Sequence, residues 1–248
     1  MDQLSSYLVG SRIMKLDLFC LSLFIVPLLG GEEMSGGNKV KYPMYPFIAR
    51  LTMKWDGWTG WCTGSLIEKD VILTAKHCFY RNGNLVKHAT ATFYDYDFWN
   101  KHPKQFELDM ELLKDDFGDS DLALGKLSRD VRNITPVPVS RALVKPGGKK
   151  YTAVGFGMHG WRQYDRHLRD THLYIHSLSH NNNWIITKLG KNKAGPCEGD
   201  SGGPLLDRDS DGNLSVVATL KGHGWDCKNN RLDLEHPYGD IWSSVRVM

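Results

Sequence analysis

Little in this 248-residue chain is extreme, and what it lacks narrows the reading. It has no strong charge bias: 31 Lys and Arg stand against 28 Asp and Glu, for a net charge of +3, and the basic residues are scattered. That argues against nucleic acid as the main partner, which would call for a clustered basic surface. No internal repeat or low-complexity segment is present, which excludes a repeat architecture. Long apolar runs are absent apart from residues 16–30, which follow Arg12 and Lys15 and end in small residues. That run is too short, and too interrupted by Asp17 and Pro27, for a membrane span. It reads as a secretory signal peptide covering residues 1–31. Cysteines are few. Of the five, Cys20 falls in the leader, and Cys62, Cys78, Cys197 and Cys227 remain, which allow three pairings.

Strand-like stretches are short and separated by turn signals, as in Val71–Thr74, Tyr151–Val154 and Ser215–Leu220, and the 25 glycines supply turns. This favours an all-β barrel or sandwich over alternating βαβ units. The length suits one large domain or two small ones.

The densest chemistry lies in Gly195-Pro196-Cys197-Glu198-Gly199-Asp200-Ser201-Gly202-Gly203-Pro204. Four glycines surround one serine, with an aspartate directly before it. A serine hydroxyl is a poor nucleophile until a base takes its proton and donors stabilise the oxyanion that follows. The N–H groups of Gly199 and Ser201 are the candidate donors. A matching histidine occurs in Thr74-Ala75-Lys76-His77-Cys78, and a matching aspartate in Ser120-Asp121-Leu122-Ala123-Leu124. The order is His, Asp, Ser, with separations of 44 and 80 residues. By contrast, Asp207–Gly212 imitates the start of a calcium loop, but the twelfth position is Ala218 rather than Glu, so it reads as a solvated hairpin turn and no metal site is assigned.

These three motifs, in this order, resemble those of the trypsin/chymotrypsin-like serine proteases, from about residue 34 to the C-terminus. The resemblance implies two packed six-stranded antiparallel Greek-key β-barrels, about 47–140 and 150–248, with the active site in the cleft between them. It implies His77 as general base, Asp121 as its orienter, Ser201 as nucleophile and no cofactor. It selects the disulfides Cys62–Cys78 and Cys197–Cys227. It makes Asp200 the partner of a freed N-terminal amine, at Met34 after a short propeptide 32–33, or alternatively at Leu28. Neither position follows Arg or Lys, which departs from trypsin-like activation.

For the primary specificity pocket the resemblance points to Gly195 at the base, Gly222 and Gly224 along the substrate-binding strand, and Asp240 in the wall. A glycine base does not support simple trypsin specificity. A buried Asp240 would favour Lys or Arg; otherwise it belongs to the turn Pro237–Gly239 and faces solvent. Residues 158–171 read as a polar loop that follows the barrel-opening Gly155-Phe156-Gly157. The resemblance implies a C-terminal helix after the last strand; here almost nothing follows that strand, either because the sequence is cut short or because this member does without the helix. Asn133 and Asn213 begin glycosylation sequons.

The expected protein is therefore a secreted, monomeric serine endopeptidase, made as a zymogen. Its partners would be peptide or protein substrates and macromolecular protease inhibitors, with neither nucleic acid nor, after signal removal, membrane. The alternatives are a catalytically silent homologue that binds a protein, and an esterase using the same site.

Overall fold

The computed structural model describes residues 37–41, 43–96, 103–158, 167–179, 181–188, 194–223, 225–226, 231–232 and 239–248. The expected leader 1–31, propeptide 32–33, both candidate N-termini, Gly224 and Cys227 lie outside the described residues.

Six strands make the first barrel: β1 (Ile48–Trp55), β2 (Trp58–Glu68), β3 (Val71–Thr74), β4 (His88–Tyr96), β5 (Pro103–Lys114) and β6 (Ala123–Leu127). They pair in the closed order β1-β2-β3-β6-β5-β4, antiparallel throughout. Alternation fixes the inward face: in β1, Ala49, Leu51 and Met53 are shielded while Lys54 is exposed. Register is set by turn chemistry. Asp56-Gly57 joins Trp55 to its partner Trp58, with Gly57 at φ 68°, the sequence signature of a two-residue hairpin. Asn82-Gly83 does the same between Arg81 and Asn84, both residues at positive φ as a type I′ turn needs.

The second barrel uses β7 (Lys150–Gly155), β8 (Arg169–Ser179), β9 (Trp184–Lys188), β10 (Pro204–Arg208), β11 (Leu214–Gly222) and β12 (Asp240–Ser244). The order β8-β7-β10-β11-β12-β9 closes through a β8–β9 pairing, and the two-residue strand Asn38–Lys39 adds to the far edge of β8. The two closed barrels bear out the expected fold. One boundary is corrected: the polar loop expected over 158–171 ends earlier, because Arg169, Asp170 and Thr171 already belong to β8. Their pattern follows the strand period, with Arg169, Thr171, Leu173 and Ile175 buried and His172 and His176 exposed. The chain's last residues form a short 3₁₀ turn, Val245–Val247.

Each barrel has its own apolar centre, around Leu51, Leu73 and Phe93 in one and around Leu173, Leu205 and Trp242 in the other. Across the junction Tyr94 stacks on Phe156 with centroids 5.5 Å apart. No helix among the described residues is long and apolar enough to cross a membrane.

Candidate active site

His77 sits in a short 3₁₀ turn, Lys76–Cys78, directly after the fully buried strand β3. The disulfide Cys62–Cys78 ties that turn back to β2, with Cα atoms 6.3 Å apart. Closing a loop of sixteen residues contributes about 3 kcal/mol in the chain-entropy picture. Asp121 lies just before β6 and meets His77 twice. Its Oδ2 is 2.6 Å from His77 Nδ1, and its Oδ1 accepts the His77 backbone N–H at 2.9 Å. The carboxylate is 9 % exposed and the imidazole 43 %, so the acid is shielded while the ring reaches the cleft. Holding the proton on Nδ1 leaves Nε2 as the acceptor facing outward.

Ser201 comes from the second barrel, in the turn between Cys197 and β10. The Asp200 N–H donates to the Cys197 carbonyl at 3.0 Å, and Gly199 inside that turn has φ 96°, a conformation glycine adopts without penalty. The first barrel holds this turn from the other side. Thr63 N–H donates to the Ser201 carbonyl at 2.8 Å, and Thr63 Oγ1 donates to the Gly199 carbonyl at 3.0 Å while accepting from Phe156 N–H at 3.1 Å. His77, Gly199 and Ser201 line one cavity of about 440 Å³. Among the described residues no hydrogen bond joins Ser201 Oγ to His77; contacts of this type tighten when substrate arrives.

Asp200 is 1 % exposed. Its Oδ1 accepts Gly157 N–H at 2.7 Å and its Oδ2 accepts Cys197 N–H at 2.8 Å. Gly155 and Gly157 make room for it: a Cβ at Gly155 would fall 2.1 Å from Oδ1, and one at Gly157 2.4 Å from Oδ2. Burial pushes the Asp200 carboxyl up to about 7, opposed by those two N–H groups and by the charge of Arg169. Arg169 is itself 0 % exposed and sits opposite Gly155 in the β7–β8 register. Opposed residues of an antiparallel pair project to the same face, so Arg169 and the Asp200 carboxylate share one buried compartment.

Sequence reasoning missed Arg169, Thr63 and Ser243. Ser243 Oγ, on β12, accepts the Asp121 backbone N–H at 3.1 Å. No local pattern marked any of them, since each acts on a residue distant in the chain.

The predicted pocket residues are only partly brought together. Gly195 is buried just before the serine turn, and Gly222 ends β11, where Lys221 is the extra residue of a bulge against β12. Asp240 is 0 % exposed, which overturns its reading as a solvent-facing turn residue; Thr187 Oγ1 donates to its Oδ2 at 3.4 Å. Cys197 is disulfide-bonded, and its expected partner Cys227 lies outside the described residues. Asn133 and Asn213 are both exposed, but Asn213 Nδ2 donates to Asp209 Oδ2 at 3.0 Å within a solvated turn. Cys62, Cys78 and His77 place their donor atoms within 4.8 Å of one another, yet the two sulfurs are bonded to each other and offer no thiolate to a metal.

The Trypsin family profile matches residues 34–233. Granzyme B(G,H) of Mus musculus is 28 % identical over 221 residues, covering 78 % of this chain and 84 % of its own. Granzyme H of Homo sapiens is 28 % identical over 230 residues, covering 83 % and 89 %. Cathepsin G of Homo sapiens is 27 % identical over 219 residues, covering 76 % and 80 %. A solved structure, that of GrC, superposes with a TM-score of 0.65 at 21 % identity over 85 % of this chain and 94 % of the other. The chain belongs to the trypsin family of serine proteases.

Proposed function

We propose that the protein is a secreted serine endopeptidase that cleaves peptide bonds through an acyl-enzyme. The observation that carries this reading is the doubly bonded His77–Asp121 pair, with Nδ1 to Oδ2 at 2.6 Å, in the same cavity as Ser201. Ser201 Oγ attacks the scissile carbonyl while His77 Nε2 takes its proton. His77 then returns that proton to the leaving amine, and water repeats the sequence to release the acid. Asp121 keeps the imidazole in the required tautomer and stabilises the imidazolium. The N–H groups of Gly199 and Ser201 bind the oxyanion, a role that the positive φ of Gly199 suits.

Gly195, Gly222, Gly224 and Asp240 form the primary specificity pocket in this reading, with the buried Asp240 favouring a basic residue. Asp200 anchors the turn, and a freed N-terminus at Met34 completes activation of the zymogen. Its partners are peptide and protein substrates and macromolecular protease inhibitors, and it acts as a monomer.

A fluorophosphonate probe tests this directly. Secreted protein is expected to label at Ser201, before or after limited proteolysis, and Ser201→Ala to lose both labelling and peptide cleavage. Folded protein that never labels would instead be a silent homologue that binds a partner. Cleavage of esters without any peptide would make it an esterase.

A further inference from the structure

A freed N-terminal amine is one way to oppose the carboxylate buried under the serine turn. The second barrel already encloses another cation. Arg169 and Asp200 are 0 % and 1 % exposed. Their closeness follows from Gly155. A Cβ built on Gly155 would fall 2.1 Å from Asp200 Oδ1, so this face of β7 looks directly onto the carboxylate. Arg169 is the residue paired with Gly155 across the β7–β8 ladder. The Cβ positions of such a pair stand about 5 Å apart on one face. The Arg169 side chain therefore starts beside the carboxylate and, being fully shielded, stays in the same compartment. Burial favours the protonated form of Asp200, and the charge of Arg169 works against it.

The other edge of β8 at this point carries the N-terminal segment. Lys39 pairs with Arg169, Asn38 pairs with Asp170, and Val40 N–H donates to the Leu168 carbonyl at 2.9 Å. Met34 lies four residues before Asn38. A freed amine at Met34 that reached Asp200 would enter a compartment where one guanidinium already stands against that carboxylate. A second buried cation is costly unless a further anion meets it. The turn above is formed in the uncut chain. Both Asp200 oxygens accept main-chain N–H groups, the Asp200 N–H closes on the Cys197 carbonyl, and Gly199 and Gly202 hold positive φ.

We propose that Arg169 supplies, from inside the barrel, the cation that steadies Asp200, so that the serine turn is in working form before any N-terminus is freed. Cleavage at Met34 then only completes an activity already present. This rests on the endopeptidase reading of the same site. Arg169 touches no substrate; it acts through Asp200 as a positioning residue. Arginine suits the place because its guanidinium keeps its charge on burial, whereas a buried lysine ammonium gives up its proton readily.

The test uses the whole secreted protein with an enteropeptidase recognition sequence inserted between Glu33 and Met34, so that one chain is measured before and after a cut that frees Met34. The readout is the rate of fluorophosphonate labelling at Ser201, with Tm followed on every sample. Uncut wild type is expected to label within about tenfold of the cut form, since the rate scales with the fraction of turns in working form. Arg169→Met should slow labelling of the uncut chain by about 100-fold or more, and the cut should restore most of the rate by bringing the Met34 amine to Asp200. Arg169→Lys should fall between the two before the cut and match wild type after it, which keeps the test open where Arg169→Met does not fold. A merely structural role would lower Tm and labelling alike in both forms, with no repair by cleavage. The proposal is overturned if wild type labels only after the cut, if uncut Arg169→Met labels as fast as uncut wild type, or if Arg169→Met is equally slow in both forms. Each of these leaves the endopeptidase reading standing. Wild type that labels in neither form removes that reading, and the positioning role with it.

Discussion

The first barrel closes over Leu51, Leu66, Ile72, Leu73 and Phe93, whereas the second encloses Arg169, Asp200 and Asp240 beside its apolar centre, each no more than 1 % exposed. Both are six-stranded and antiparallel, so topology does not explain the contrast. The turns they carry do. The first barrel presents the doubly bonded His77–Asp121 pair on a turn pinned by a disulfide, and an apolar interior is enough to hold it. The second carries the glycine-rich turn of Ser201 and buries the Asp200 carboxylate under it. Buried charge is expensive unless opposed, so in this barrel two main-chain N–H groups and Arg169 stand against Asp200. The two are then stitched by Thr63 reaching into the serine turn and Ser243 reaching back to Asp121.

The largest expected effect tests the first barrel's role. Asp121→Asn should lower kcat by about 10⁴-fold through the wrong imidazole tautomer, with little change in thermal stability. A loss of activity matched by a large fall in Tm would mean that Asp121 supports the fold rather than the chemistry.

Arg169→Met is the corresponding cut in the second barrel. Removing the charge that opposes the burial of Asp200 should destabilise by about 3 kcal/mol, more at pH 8 than at pH 5, and Arg169→Lys should recover part of it. Equal losses at both pH values in denaturant titrations would sever Arg169 from Asp200.

Wild type should show the same asymmetry more weakly. The folded-state carboxyl of Asp200 titrates near 7, above its ordinary value of 3.8, so the native state binds the extra proton. Its contribution to stability is therefore present at low pH and is lost as pH rises from about 4 to 7. Asp200→Asn should flatten that slope; a Leu73→Ala cavity in the first barrel should lower the whole curve without changing it.

The smallest effect concerns the stitch. Thr63→Val keeps the shape but strands the Phe156 N–H and the Gly199 carbonyl, at a cost of about 2 kcal/mol. Turnover should fall with it, because the oxyanion turn loses its brace. Unchanged labelling kinetics in a destabilised protein would show that the brace serves the fold alone.

Much of the site was legible because its chemistry is local. The glycines around Ser201, the His77–Cys78 pair and the Asp121 strand start are short strings, and the roles proposed for them follow from their resemblance, in that order, to the motifs of the family. Arg169 was not legible: it follows a polar run and looks like more of it, until the pairing with β7 turns it inward. Asp240 could equally have belonged to the preceding turn, and only its pairing with Thr187 buries it.

By itself the sequence determined the all-β class, the resemblance to the family and the three motifs proposed to carry base, orienter and nucleophile, because each is a pattern of residues a few positions apart. Tertiary structure alone decided which charges are buried and which side chains brace the turn. Those outcomes rest on contacts such as Thr63 to Gly199 and Asp121 to Ser243, 136 and 122 residues apart, where chain proximity carries no signal and only closure of both barrels brings the partners together.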